Sequence, residues 1–321
     1  MVLEPIYELA FLPCSYGLRP GRGPHQALEA LWGELMDMGG AWVIDLDIQS
    51  FFDDMDRKPL SAFLDQRVRD GVIRRAIGKW MNAGVMEEGV VSHPECGAPQ
   101  GGVLSPLLSN LYRHEVLDLW FEHEVKPRLG GRAFVVRFAD DALLAFGQEE
   151  DARRVLAVLP KRFTRFGLTL HPEKTCRVDF RSPTRHGVDG SQRRRSFDRL
   201  GFTHDWGRSR KGRWVVQRKT AKSRTSRALR RIGPWCRNHR HQPVAEQQRA
   251  LSRKLQGHDA YYGITGNARA RSRFRLEVQR CWRKWLNRCS LATRLSWEAC
   301  NRLLRRDPLP PARVVHRIDV T

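Results

Sequence analysis

Apolar and polar positions along this chain fall into blocks of two periods. Residues 133–137 and 142–146 are short apolar runs on either side of Phe138-Ala139-Asp140-Asp141, which reads as strand, tight turn, strand. Trp42-Val43-Ile44-Asp45-Leu46-Asp47-Ile48 alternates with period two. Trp42, Ile44, Leu46 and Ile48 share one face of that strand, and Val43, Asp45 and Asp47 share the other. The apolar face fixes the strand against a core, and the opposite face presents carboxylates. Helical spacing marks residues 25–35, opened by Pro24, and then 59–68, 72–81, 107–121 and 149–166. A short amphipathic stretch covers 2–8, and 87–92 is expected as one strand.

The second part of the chain has a different texture. Residues 181–198 are rich in Arg, Ser and Gly and read as an exposed loop. Runs at 200–206 and 213–218 bracket Gly207-Arg208-Ser209-Arg210-Lys211-Gly212, the pattern of a basic hairpin. Helices are expected over 222–238, 244–263 and 268–289, with a short one near 296–305 ahead of a Pro-rich tail. No internal repeat is visible.

Composition sharpens this division. With 321 residues there is enough chain for two domains and a substantial core. No apolar run approaches the length needed to span a bilayer, and no signal-peptide pattern opens the chain. Residues 181–321 hold 36 Lys and Arg against 9 Asp and Glu, which leaves 21 against 26 for residues 1–180. An acidic half joined to a strongly basic one suits an enzyme acting on a polyanion. None of the seven cysteines stands in a Cys-x-x-Cys pair, so neither a zinc ribbon nor a disulfide framework is indicated. A reducing cytoplasm is the expected compartment.

The candidate chemistry lies in the acidic half. Adjacent aspartates at a hairpin tip repel each other and form no core, whereas a divalent cation takes hard oxygen ligands. Taken alone, Asp140-Asp141 also reads as a solvated turn, and Asp45 and Asp47 as an exposed strand face. Together, Asp47, Asp140 and Asp141 form a set that can hold two ions across an in-line phosphoryl displacement.

These residues carry a family resemblance. Phe138-Ala139-Asp140-Asp141 resembles the metal-binding box of reverse transcriptases, and Asp47-Ile48-Gln49-Ser50-Phe51-Phe52-Asp53 resembles the preceding acidic box. The run 97–108 resembles the loop and helix between them, and 15–22 an earlier box. Residues 167–174 and Leu200-Gly201-Phe202 resemble the last two. The order and spacing are similar to the bacterial group II intron reverse transcriptase/maturase family. The resemblance implies an α+β fold: a palm of antiparallel sheet backed by helices, then a helical thumb/maturase domain. The implied organisation is partial fingers and palm over 1–180, basic loop and hairpin over 181–220, and helical RNA-binding region over 221–321.

It also implies roles. Asp47, Asp140 and Asp141 would be catalytic and, with Ile48, would hold two Mg²⁺, with Mn²⁺ as a substitute. Ile48, Phe52, Gln100 and Lys174 would meet the nucleotide, Phe52 by excluding a 2′-hydroxyl. For Phe52 an ordinary core role stands beside this. Arg19 and Arg22 would bind template phosphate, the alternative being a surface loop with no specific role. Gly201 would allow close approach of the primer strand, and Tyr261 and Tyr262 would stack on bases. Trp282 and Trp285 are expected to hold the helices together while neighbouring arginines face RNA. The implied partners are an RNA template of group II intron type, a DNA or RNA primer, and dNTPs. The implied activity is RNA-directed DNA polymerisation with splicing assistance; an RNA-binding cofactor without polymerase activity, or an inactive mobile-element remnant, is the alternative. Family members have a fingers segment ahead of the Ser15 box; only 14 residues precede it here, so poor polymerisation is expected of this chain. No Cys-rich endonuclease module is expected either.

Overall fold

The computed structural model describes residues 3–82, 85–87, 90–92, 102, 104–183, 196–288 and 296–317. Two compact units divide the chain, Met1–Arg195 and Ser196–Thr321.

The first unit opens with α1 (Leu3–Glu8) and α2 (Pro24–Asp37). Proline is suited to the first turn of α2, where no amide donor is needed. Ala27, Leu28, Leu31 and Leu35 recur at helical spacing and are the residues α2 buries. Next come β1 (Gly40–Leu46), α3 (Phe51–Asp54), α4 (Arg57–Asp65) and α5 (Gly71–Met81). Aspartates start the last two: Asp56 accepts from the Lys58 amide at 2.9 Å, and Asp70 from Val72 and Ile73 at 2.8 and 2.9 Å. The stretch expected as one strand is a pair, β2 (Val85–Glu87) and β3 (Val90–Ser92), joined antiparallel. The expected 107–121 helix is α6 (Ser105–Arg113), followed by π-helical turns at His114–Asp118 and Phe121–Val125. Such wide turns re-aim side chains within a helical run.

The hairpin of β4 (Ala133–Phe138) and β5 (Asp141–Phe146) forms as expected, and α7 (Glu149–Thr164) follows. A further strand, β6 (Cys176–Arg181), was not expected. The sheet order is β4-β5-β1-β6, with every pair antiparallel. α2 and α7 pack on it, making an α+β architecture of antiparallel sheet backed by helices. Both faces of β1 are covered along most of its length: Val43, assigned to the carboxylate face, is fully buried, and within the strand only Asp45 emerges partly, with Asp47 and Ile48 half-exposed just beyond its end.

The second unit begins with an antiparallel sheet of β7 (Phe197–Arg199), β8 (Phe202–Arg208) and β9 (Trp214–Thr220). The basic hairpin is β8–β9, and β7 lies at the end of the stretch expected as loop. The segment 181–220 is therefore not a separate piece: Arg181 ends β6 of the first unit, and β7 to β9 belong to the second. Among the described residues, four helices follow, α8 (Lys222–Asn238), α9 (Val244–Tyr262), α10 (Ala268–Leu286) and α11 (Trp297–Arg306). Their core includes Ile232, Cys236, Leu251, Leu255, Phe274 and Trp282. Trp282 is buried, with its indole N–H donating to Gln247 Oε1 at 2.9 Å, as the packing role required. Trp285 is half-buried against the same core, with the cations of Arg288 and Lys284 4.9 and 5.7 Å from its ring.

Candidate active site

The antiparallel register brings the acids to one end of the first sheet. Leu46 pairs with Ala142 at the last position of the β1–β5 ladder, so Asp47 is the next residue out on one strand and Asp141 on the other. Phe138 pairs with Asp141, leaving Ala139 and Asp140 as the two-residue turn. Neighbouring strands lie about 5 Å apart, so Asp47, Asp140 and Asp141 share one rim. Beyond β1 the chain continues in an antiparallel bridge between Ile48 and Leu170. The His171 amide donates to the Asp47 carbonyl at 2.8 Å, and the Gln49 amide donates to Thr169 at 2.9 Å. That crossing delivers Lys174, whose Nζ lies 3.2 Å from Asp47 Oδ2. Ile48 itself is half-buried against the core.

The turn is held under constraint. Ala139 has φ +50°, the left-handed region that a residue with a Cβ seldom adopts. Gly17 lies directly behind it: a Cβ on Gly17 would fall 2.0 Å from the Ala139 nitrogen. Ser15 and Arg137 form a parallel bridge, with Tyr16 N donating to Arg137 O and Arg137 N to Cys14 O, both at 2.8 Å.

Arg137 is the hub of this support and was given no role from the sequence. It is fully buried, and its guanidinium donates to both Asp118 oxygens, to Asn110 Oδ1 at 2.9 Å and to Ser15 Oγ at 2.7 Å. Asn110 in turn donates to the Gly17 carbonyl at 2.8 Å. Burial alone would push the Asp118 carboxyl up, yet Arg137 and His114 together hold it below its ordinary value. One signal was available: a lone charge in an apolar strand just before the paired aspartates marks a buried, paired arginine.

Other candidate residues fall differently. Arg19 is corrected: its five N–H groups are directed to Glu8 and to the carbonyls of Glu8, Leu12 and Ser15, so it fastens the N-terminal segment and presents nothing to a phosphate. Arg22 donates to the Pro13 and Ser15 carbonyls and lies over the Tyr16 ring at 5.4 Å. Gln100 lies outside the described residues, as does the placement of the Phe52 side chain, although Phe52 is in α3.

Gly201, Tyr261 and Tyr262 come together within the second unit. Gly201 has φ +79°, and a Cβ there would meet Tyr262 Oη at 3.0 Å, so the close approach it permits is to a tyrosine of its own chain. Tyr261 donates to the Leu200 carbonyl at 2.8 Å, and both rings pack on Phe202, at 5.9 and 5.3 Å. These half-buried rings serve internal packing, a correction to their reading as free base-stacking platforms.

The model of the reverse transcriptase (RNA-dependent DNA polymerase) family matches residues 2–204. The chain belongs to that family. As a reverse transcriptase it is similar to the group II intron-encoded protein LtrA of Lactococcus lactis subsp. cremoris, 36% identical over 136 residues, 40% of this chain and 22% of that protein. It is also similar to an uncharacterized 91 kDa protein in the cob intron of Schizosaccharomyces pombe, 37% identical over 123 residues, 38% of this chain and 15% of that protein. The chain thus spans less than a quarter of the length of these relatives. A solved telomerase from Candida albicans, in complex with a fragment of telomeric RNA, aligns with a TM-score of 0.48 at 12% identity, covering 91% of this chain and 50% of that one.

A reverse transcriptase domain implies dependence on a divalent metal. Asp47, Asp140 and Asp141 offer the hard oxygen donors such an ion takes. Among the described residues no three His, Cys, Asp or Glu side chains are already gathered as an ion-binding group, and Asp47 meets Lys174 instead. The donors fit by chemistry and by strand position. Closing them around an ion needs rotation of carboxylates that are exposed or half-buried, which core packing does not oppose. No helix among the described residues is long and apolar enough to cross a membrane.

Proposed function

We propose that this chain is the polymerase core of a group II intron-type reverse transcriptase, which extends a primer 3′-hydroxyl with dNTPs on an intron RNA template. The supporting observation is the meeting of two carboxylate-bearing strand ends at one rim, with Lys174 against Asp47. Asp47, Asp140 and Asp141 would hold Mg²⁺, with the Ile48 position beside them, and the bound ion would supply activation of the attacking hydroxyl and charge neutralisation at the leaving pyrophosphate. Lys174 balances the Asp47 charge and would meet the nucleotide phosphates. Phe52, next to the buried Phe51, reads the sugar, and Gln100 meets the nascent base pair. Gly17 and the Arg137 network fix the turn, so the aspartates need little reorganisation before reaction.

The basic second part, with 36 Lys and Arg against 9 Asp and Glu over 181–321, grips the RNA phosphates. That charge belongs to a different part of the sequence from the aspartates and favours a second role, stabilising folded intron RNA without polymerisation. Primer extension by the purified chain on an RNA template, with Mg²⁺ and dNTPs, tests the first role. Wild type is expected to add nucleotides slowly but detectably, and the Asp140→Asn/Asp141→Asn double variant is expected to add none while binding RNA within twofold of wild type. A folded wild-type chain that adds no nucleotide overturns the polymerase assignment. Splicing support surviving in the double variant establishes the second role as independent.

A further inference from the structure

Two adjacent residues at the end of α6 hold a single aromatic ring. The guanidinium carbon of Arg113 lies 3.6 Å from the centroid of the Phe51 ring, and the Tyr112 ring meets the same ring edge-on at 6.1 Å and 71°. Tyr112 is itself tethered, its Oη donating to the Phe166 carbonyl at 2.5 Å. Phe51 is 4% exposed and Arg113 only 1%, yet none of the Arg113 guanidinium nitrogens has a hydrogen-bond partner among the described residues. Arg137 is equally buried and has every nitrogen bonded. Burying an unbonded guanidinium is costly, and an apolar side chain of similar length would avoid it. What Arg113 gains is the face of Phe51, because a cation over an aromatic ring is held most strongly where water is excluded.

The ring gripped in this way opens α3, a helix of one turn. Phe51–Asp54 follows Ser50, which is left-handed at φ +38°, and Asp54 N donates to the Ser50 carbonyl at 2.9 Å. One helical turn is too short to fix its own orientation, so the anchor at Phe51 sets it. Phe52 is the next residue. Consecutive helix positions stand about 100° apart, so position 52 turns only when its neighbour turns. We infer that Arg113 is a positioning residue for sugar selection: its hold on the Phe51 ring keeps position 52 at the setting from which Phe52 excludes a 2′-hydroxyl. The inference rests on the sugar-reading role of Phe52 in the proposed function. The three aspartates stand on strand ends rather than on α3, so release of the ring admits ribonucleotides more than it slows addition of deoxynucleotides.

The experiment is single-nucleotide incorporation by the full chain on a primed RNA template, with the ratio of kcat/KM for dATP to that for ATP as the readout. Arg113→Met keeps the length of the side chain and removes the cation. Its ratio is expected to fall about five- to tenfold, the scale of a desolvated cation–π contact, chiefly through easier acceptance of ATP. Arg113→Lys keeps a charge without the planar face and is expected to fall between the two. Phe51→Leu should lower the ratio similarly, and adding Arg113→Met to it should change the ratio no further, because the two side chains act through one contact. A purely structural role slows both nucleotides alike. An unchanged ratio in Arg113→Met therefore overturns the inference. The second measurement needs no turnover: the fluorine NMR spectrum of the chain with 4-fluorophenylalanine at position 52. Wild type is expected to give one narrow line, and Arg113→Met a broadened or second line; an identical line in the two overturns the inference. Should Arg113→Met fail to fold, Arg113→Lys serves in both measurements. Wild type that adds no nucleotide refutes the polymerase reading, and the fluorine spectra still decide whether Arg113 holds position 52.

Discussion

Lys174 Nζ lies 3.2 Å from Asp47 Oδ2, joining the segment after Gly167 to the end of β1 at the rim where the other aspartates stand. Both side chains are well exposed, at 60% and 38%, so the ion pair adds little to stability, about 0–1 kcal/mol. Its value is positional. Lys174→Ala is expected to shift the melting temperature by no more than about 2 °C while reducing nucleotide addition at least about tenfold, in proportion to one lost charge at the reacting phosphates. Thermal unfolding and single-nucleotide incorporation check this together. A large loss of stability with unchanged incorporation would reverse the assignment.

The Arg137–Asp118 pair behaves in the opposite manner because neither side chain is exposed. Asp118→Ala leaves a buried guanidinium without its carboxylate and is expected to cost about 3–5 kcal/mol, measured by urea unfolding. The pH dependence follows from the lowered Asp118 pKa, which Arg137 and His114 enforce against burial. A carboxyl with a depressed folded pKa contributes stability that is fully present above the unfolded value near 3.9 and is lost as pH falls through the folded value. Wild type should therefore lose stability steeply below about pH 4, and Asp118→Asn, starting less stable, should lose it with a shallower slope.

These two pairs show what could be read from the sequence and what could not. Both acidic elements were legible, because period-two alternation and a tight turn are local patterns, and so were most of the helices. Strand β6 left a signal that went unused: Cys176, Val178 and Phe180 alternate with Arg177, Asp179 and Arg181. The contact of Arg137 with Asp118 was not legible, since it depends on how the π-helical turns after α6 aim Asp118 across 19 residues of sequence. Arg19 and Tyr262 were misjudged for a related reason. Arg and Tyr beside glycine look like ligand-binding residues, but here distant parts of the same unit, Glu8 and Gly201, are their partners.

Gly17 gives a steric prediction. A methyl group there would sit 2.0 Å from the Ala139 nitrogen, a backbone atom that cannot swing aside. Gly17→Ala must displace either the Ser15 bridge or the aspartate turn. It is expected to destabilise by about 1–3 kcal/mol, the usual range for overpacking, and to reduce primer extension beyond what the stability loss explains at a temperature where the variant is folded. The exposed Gly21, with φ +67° and nothing within 4 Å, is the control: Gly21→Ala meets only backbone strain and should cost about 1 kcal/mol without affecting extension.

The second unit carries its own acid sensitivity. Burial, with Arg218 and Arg199 nearby, lowers the His204 pKa to about 3. Burial likewise lowers His258 to about 4, against the opposing pull of Asp259. Both histidines are therefore neutral when folded, and each takes up a proton on unfolding once pH falls below the unfolded value near 6.5. The unfolded state then binds more protons, so stability falls with falling pH, starting near 6.5 and continuing toward the folded values. With both groups contributing, the slope should approach about 2–3 kcal/mol per pH unit near pH 5. His204→Asn should roughly halve it, and His204→Asn with His258→Phe should nearly abolish it. Hydrogen exchange of the full chain between pH 7 and 5, followed at amides of β8 and α9 and corrected for intrinsic exchange rates, isolates this unit. Protection there that is unchanged across that range would mean that the two rings are protonated, or exposed, in the folded protein.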